Sequence, residues 1–327
     1  IYLYMKLLKE ISKLMKEIKK VVSFKKFGKL PLWERLFYLS FGTLLFVVLV
    51  NKARNVLGIK EGFEQTGEFV VKKGATEIYD EFYVSIYDDL VYHKGKNDCE
   101  MNIIKNLTNL DENSRVLDIG SGTGHHVSLF NETTQNVEGM DISPAMVSKA
   151  KENYPKCNYR KEDANNTMAI QGQSMTHITC LYFTIYYIEN KRAVLKNCYD
   201  WLMPGGYFIV HLVDRDKFDP ILPAGDPFAM VSPQKYAKER ITSTVVKFDS
   251  YDYKSNFEMV PNEPIAIMNE EFKNRNDGSI RKNEHKIYMP LQKDIISMAK
   301  DIGFVMLDYD ELAECGYMNQ YIYLYFS

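Results

Sequence analysis

The sequence predicts an α/β fold, a mostly parallel sheet covered by helices on both faces, and three observations predict it. From about Tyr79 onward, short apolar runs alternate with helix-length stretches. One of these runs, Val116–Ile119, passes straight into a turn with glycine at every second position, Gly120, Gly122 and Gly124, and then into a helical pattern. Glycine loses backbone entropy wherever it is ordered, so this spacing points to a backbone that a ligand must touch. The chain has 327 residues, 46% apolar and 26% charged, enough for one sizeable core with appendages.

Residues 1–60 are a different material. Between Lys6 and Arg35 lysine and arginine far outnumber Glu10, Glu17 and Glu34, while Leu7, Ile11, Leu14, Met15 and Ile18 recur at helical spacing, the pattern of a basic amphipathic helix suited to anionic lipid. The uncharged run Leu36–Val50 follows, bracketed by Arg35 and Lys52, with Trp33 and Tyr38 near one end. As a helix it covers about 22 Å of a hydrocarbon core about 30 Å thick. The segment is therefore expected to be a membrane anchor, spanning, monotopic or re-entrant, with the remaining domain membrane-associated on the cytoplasmic side. A buried helix and a signal peptide are the other readings of the same run.

A glycine-bearing linker is expected over 61–78 and one domain over 79–327. Within that domain the predicted strands are Arg115–Ile119, Asn136–Met140, Asn158–Lys161, Ile178–Phe183 and Tyr207–Val213, and the predicted helices are Gly124–Phe130, Pro144–Asn153 and Lys191–Leu202. Ser143 followed by Pro144 is a clean helix start. An insertion over 214–289 alternates like strands and holds a hairpin about Asn276-Asp277-Gly278. A helix at Leu291–Ile302, a strand at Phe304–Leu307 and a last strand at Tyr321–Phe326 close the chain. The net charge of −2 gives no general attraction to nucleic acid. Five widely spaced cysteines with no C-x-x-C pair argue against a zinc site and a disulfide framework, so reduced thiols and no metal are expected.

In such sheets ligands sit at the carboxyl ends of the strands, and the glycine turn stands at one. A dinucleotide fingerprint G-x-G-x-x-G would need a small residue at 125, where His125 stands. Val116-Leu-Asp-Ile-Gly-Ser-Gly-Thr-Gly124 instead resembles the first motif of the class I S-adenosylmethionine-dependent methyltransferases. Val137–Met146 resembles their second motif, Glu162–Asn166 their third, and Trp201–Val213 their turn into strand five, all in order. The resemblance implies a Rossmann-like, mostly parallel seven-stranded sheet with an antiparallel last strand, a β-rich insertion after strand five that faces the substrate, and S-adenosylmethionine as cofactor.

It also implies roles for residues. Asp118, Gly120, Ser121, Gly122 and Gly124 would form the seat of the donor's amino-acid end. Asp141 would accept the ribose hydroxyls, with Ile142 and Met146 beside it, and Asp163 with Ala164 would meet the adenine. Tyr182, and Tyr83 and Tyr87 with Tyr79 from a helically spaced aromatic segment, would close over the donor. Tyr186, Tyr187 and His211 are the expected catalytic candidates, and Tyr251, Tyr253, His285 and Tyr288 the expected acceptor contacts. Each has a plainer reading: Asp118, Asp141 and Asp163 suit caps, the tyrosines suit a core, His211 on an apolar strand suits a structural role, and His125 and His126 suit a solvent-facing helix start. The expected acceptor is a small molecule or lipid-associated group and not nucleic acid. A membrane-bound scaffold that binds without turnover and a nicotinamide-dependent oxidoreductase are the rivals.

Overall fold

The computed structural model describes residues 31–33, 69–225 and 233–327. The described residues from Phe69 onward belong to one compact unit. Their elements in chain order are β1 (Phe69–Lys73), α1 (Ala75–Ile78), α2 (Glu81–Val91), α3 (Lys94–Leu107), β2 (Val116–Ile119), α4 (His125–Asn131), β3 (Val137–Asp141), α5 (Pro144–Asn153), β4 (Asn158–Lys161), β5 (Met175–Cys180), α6 (Thr184–Tyr187), α7 (Lys191–Trp201), β6 (Leu202–Val213), β7 (Ser243–Lys247), β8 (Tyr251–Met259), β9 (Ile265–Asn274), β10 (Ile280–Tyr288), α8 (Gln292–Ile302), β11 (Val305–Glu311) and β12 (Gln320–Phe326).

Seven strands form one sheet in the order β11-β12-β6-β5-β2-β3-β4. The pairs β5–β6, β2–β5, β2–β3 and β3–β4 are parallel, and β12 runs antiparallel to both β6 and β11. β2 is buried at every position because parallel strands inside such a sheet are covered on both faces. The order reverses beside β2, which brings the glycine turn to the ligand-binding end of the sheet.

Strand β5 ends three residues earlier than the apolar run Ile178–Phe183 suggests. Tyr182 adopts φ +53°, turning the chain off the strand and into α6. An apolar strand and the apolar turn after it look alike in sequence, so hydrophobicity alone could not place this end.

The insertion is a second sheet, ordered β1-β10-β9-β8-β7. β9 and β10 pair antiparallel around the turn at Asn276-Asp277-Gly278, where Asn274 N–H donates to Ser279 O at 2.9 Å. Within the segment 61–78, the described part contains β1 and α1, and β1 pairs parallel with β10.

Two expectations are corrected. Among the described residues no helix is long and apolar enough to cross a membrane, which overturns the expected membrane localisation; the segments Lys6–Arg35 and Leu36–Val50 lie outside the described residues, Pro31–Trp33 excepted. The cysteines are not all free: Cys99 on α3 is bonded to Cys315 before β12, whereas Cys157, Cys180 and Cys198 are thiols. The two partners are 216 residues apart in sequence, so spacing gave no sign of the pair, which the fold brings to a Cα separation of 5.8 Å.

Candidate donor and acceptor site

The turn after β2 is built by left-handed backbone. Gly120, Gly122 and Gly124 have φ of +69°, +53° and +92°, a region that a side chain makes costly. Their reasons differ. A Cβ on Gly120 would lie 2.4 Å from the Thr184 side chain, and one on Gly124 would lie 2.5 Å from the Tyr159 hydroxyl. A Cβ on Gly122 would meet only Tyr87, at 3.8 Å. Gly122 is thus bare toward open space, and that space is a cavity of about 300 Å³.

Asp141, the last residue of β3, ties this turn to the next strand. Its Oδ2 accepts from the Gly122 N–H and its Oδ1 from the Ser143 N–H, both at 2.9 Å. Burial raises its carboxyl above the ordinary value, against the Ser143 and Gly122 hydrogen bonds, which lower it. Ser143 caps α5 by accepting from Met146 N–H, with Pro144 at the first helical position. Capping and facing the cavity are therefore compatible at this strand end. Asp163 makes an Asx turn, accepting from Asn165 N–H at 2.9 Å, and lines the cavity with Ala164, Ile142 and Met146.

Asp118 points elsewhere. It is 3% exposed and accepts from Thr179 Oγ1 at 2.6 Å, outside the cavity lining, and burial pushes its carboxyl up to about 6. Ser121 and Gly124 also lie behind the lining; the Ser121 N–H donates to Met140 O, and Gly124 packs against Tyr159.

The opposite wall is aromatic. Tyr83 and Tyr87 on α2, Tyr79 before it, Tyr182 after β5 and Tyr187 at the end of α6 all line the cavity. Tyr79 meets Tyr83, Tyr87, Tyr187 and His285 edge-on at centroid distances of 5.3–6.1 Å. Behind these rings sits Glu270 of β9, 2% exposed. It accepts from Tyr83 Oη (2.9 Å), Tyr253 Oη (2.7 Å), Asn283 Nδ2 (2.9 Å) and His285 Nε2 (2.7 Å), and His285 Nδ1 lies 2.8 Å from Tyr187 Oη. Burial alone would raise the Glu270 carboxyl, yet His285 and the hydrogen bonds hold it below the ordinary value.

The structure therefore brings Tyr187 to the cavity and sets His285 and Tyr253 directly behind it. It leaves four other candidates out of the lining. Tyr186 is fully buried, with its hydroxyl accepting from Val213 N–H at 2.8 Å. His211 is fully buried in β6, and burial pushes its imidazole down to about 3. Tyr251 packs on Phe248 and Phe272. Tyr288 also lies outside the lining and donates to Glu189 Oε2 at 3.1 Å. His125 and His126 are half-buried rather than solvent-facing: His125 stacks on Tyr92 at 3.9 Å, and His126 Nε2 lies 2.9 Å from Glu100 Oε2. Glu270 was missed; in sequence it is one of two glutamates in a polar stretch, and only pairing with β8 and β10 turns it inward.

A mostly parallel seven-stranded sheet with a glycine turn after β2 and a carboxylate at the tip of the next strand gives the chain a Rossmann-like α/β fold. Residues 116–206 of the chain match the family model described as "Methyltransferase domain". The chain is 28% identical over 141 residues to the dTDP-4-amino-2,3,4,6-tetradeoxy-D-glucose N,N-dimethyltransferase of Saccharopolyspora spinosa, covering 41% of this chain and 56% of that protein. It is 26% identical over 140 residues to the phosphoethanolamine N-methyltransferase of Plasmodium falciparum, covering 39% of this chain and 49% of the other. The matches thus span about half the length of these curated relatives. Among solved structures, the fold is similar to the CcbJ methyltransferase of Streptomyces caelestis (TM-score 0.57, 15% identity, 76% of this chain and 96% of that one). It is also similar to a S-adenosylmethionine-bound amino pentose methyltransferase from Micromonospora echinaspora (TM-score 0.52, 17% identity, 74% and 96%).

Proposed function

We propose that the protein is an S-adenosylmethionine-dependent methyltransferase acting on a small-molecule acceptor. The observation that carries this reading is Gly122: a bare, left-handed backbone position, held by the Asp141 carboxylate, that opens on the cavity and would be filled by any side chain. Gly120 and Gly122 would seat the amino-acid end of the donor, Asp141 its ribose, Asp163 and Ala164 its adenine, and Tyr83, Tyr87 and Tyr182 would enclose it. When bound, the donor supplies a methyl whose carbon–sulfur bond breaks, leaving the electron pair on sulfur, as the acceptor's lone pair forms the new bond. Alignment of two bound reactants accounts for about 7–11 kcal/mol of such a barrier, so the chain's first task is positioning.

The lining favours a neutral or cationic acceptor. It contains Asp141, Glu162, Asp163, Glu189 and Asp219 and, among the described residues, no lysine or arginine. A phosphate or carboxylate on the acceptor would face like charges from the lining, whereas an amine on an apolar body suits both the acids and the aromatic walls. This separates the site from the acceptors named for the relatives above, one a dTDP-sugar and the other a phosphoethanolamine.

The test is transfer of labelled methyl from S-adenosylmethionine to single acceptors. 2-Phenylethylamine is expected to gain label and phosphoethanolamine is not. Donor binding by calorimetry with no transfer to any amine or cell extract would favour the scaffold reading, and competition by a nicotinamide nucleotide would favour the oxidoreductase.

A further inference from the structure

We propose that Tyr187, His285 and Glu270 form a proton relay that removes the proton an N–H or O–H acceptor loses on methylation; this rests on the methyltransferase reading above. Tyr187 is the relay's one member in the cavity lining. His285 and Glu270 come from the inserted sheet, paired strands β10 and β9, and are 1% and 2% exposed.

The hydrogen bonds fix the direction. Glu270 receives four donors, two on each oxygen, and so stands as an ionised carboxylate that only accepts. The His285 nitrogen facing it, Nε2, therefore carries the ring proton. In the relay's resting state the ring is neutral and Nδ1, 2.8 Å from the Tyr187 hydroxyl, accepts from it. That hydroxyl has two lone pairs. Tyr79 engages it on one side, and in the relay the other accepts from the bound acceptor.

The transfer then balances. As the acceptor nitrogen or oxygen forms its bond to carbon, its proton passes to Tyr187 Oη, while the Tyr187 proton passes to His285 Nδ1. The phenol ends neutral and the imidazole ends as a cation against the Glu270 carboxylate, from which it discharges to solvent as product leaves. Tyr187 could not hold the role alone, because burial disfavours its phenolate. The relay avoids that anion and puts the charge where a carboxylate already waits. Tyr187 is thus the catalytic residue, His285 the proton acceptor behind it, and Glu270 a positioning residue that sets the tautomer.

The experiment uses the full chain with ring-15N histidine, saturated with S-adenosylhomocysteine, in wild type, Tyr187→Phe, His285→Gln and Glu270→Gln forms. The expected wild-type spectrum has His285 protonated at Nε2 and bare at Nδ1, with a hydrogen-bonded Nδ1 shift that Tyr187→Phe removes. In parallel, Tyr187→Phe should lower kcat on 2-phenylethylamine by roughly a hundredfold or more, with calorimetric donor affinity unchanged within about threefold. Glu270→Gln should remove the Nε2-protonated, Nδ1-bare pattern from the His285 15N shifts, a change that lost packing alone would not produce. A proton on Nδ1 in the wild type, or a Tyr187→Phe variant within about threefold of wild-type kcat, overturns the relay. Should wild type bind the donor and leave the amine unmethylated, the acceptor reading fails, and the tautomer alone decides the relay. If a glutamate variant fails to fold, Tyr187→Phe, which deletes one hydroxyl, still decides it.

Discussion

The two walls of the cavity are made of different things. The wall proposed for the donor, from β2 to β4, presents backbone: bare glycines, N–H groups and carboxylates that accept from backbone N–H groups. The acceptor wall, from α2, α6 and the inserted sheet, presents side chains, and its polar centre, Glu270, is held by partners from β8, β10 and α2. Backbone geometry is written locally, in residues that can adopt φ > 0 or cap a helix. A side-chain network is written in the pairing of strands far apart in sequence. The donor wall can therefore be broken by adding one carbon atom, and the acceptor wall by removing one oxygen.

The largest effect expected from a single added carbon is at Gly120. Gly120→Ala forces a methyl into Thr184 from a backbone that already disfavours it, and overpacking of this kind costs roughly 1–3 kcal/mol on top of the left-handed penalty. Both the melting temperature and donor binding should fall. Gly122→Ala carries the same kind of backbone penalty with no clash, so its melting temperature should fall less, while donor affinity should drop at least as far. Calorimetry beside thermal melts separates the two. If Gly122→Ala binds the donor as wild type does, the donor wall is not a donor wall.

Next in size is Asp141→Ala, which removes an acceptor from the Gly122 and Ser143 N–H groups and the expected ribose contact. Hydrogen bonds to a charged group are worth about 1.5–3 kcal/mol each, so donor affinity should fall by roughly tenfold to a hundredfold. An unchanged calorimetric affinity would leave Asp141 as a cap alone.

The same division governs what the sequence could reveal. Asp118-Ile-Gly-Ser-Gly-Thr-Gly124, Asp141 and Ser143-Pro144 are local signals, and the strands and helices around them fall close to where alternation put them. Even there, spacing could not distinguish Asp118, turned to Thr179, from Asp141, turned to the turn's N–H groups. On the other wall, Tyr187 was visible as one of several tyrosines and His285 as one ring in an insertion. Glu270 was invisible, since nothing about a glutamate within "MNEEFKN" says it will be buried with four donors. The Cys99–Cys315 bond was hidden for the same reason: its halves meet only once α3 lies beside the approach to β12.

Asp118 offers a measure of how dry the sheet is beneath the donor wall. Its carboxyl is raised from 3.8 to about 6 by burial, so between those values the folded chain binds more protons than the unfolded one. Stability from this group is present below about pH 4 and declines as pH rises through about 6. The loss is on the order of 3 kcal/mol. Asp118→Asn should therefore flatten the stability-against-pH curve over that window relative to wild type, as read by urea melts at successive pH values. A parallel pair of curves would place water beside the carboxylate.

The smallest effect tests the boundary between the walls. Tyr186 and Tyr187 are neighbours on one short helix, yet the first hydroxyl accepts from the Val213 N–H inside the core, whereas the second residue lines the cavity with its hydroxyl 2.8 Å from His285 Nδ1. Tyr186→Phe leaves that N–H without its 2.8 Å partner and should lower stability by about 1–3 kcal/mol with no change in donor affinity and little in kcat. Tyr187→Phe leaves His285 Nδ1 without its 2.8 Å partner and should cost a similar amount of stability, but it should also lower kcat by roughly a hundredfold or more. Two adjacent substitutions, each of a single oxygen, thus assign one tyrosine to the fold and the other to the reaction. If the Tyr186 variant instead loses turnover at full stability, the reacting groups lie deeper toward β6, and the acceptor wall has been drawn on the wrong face of α6.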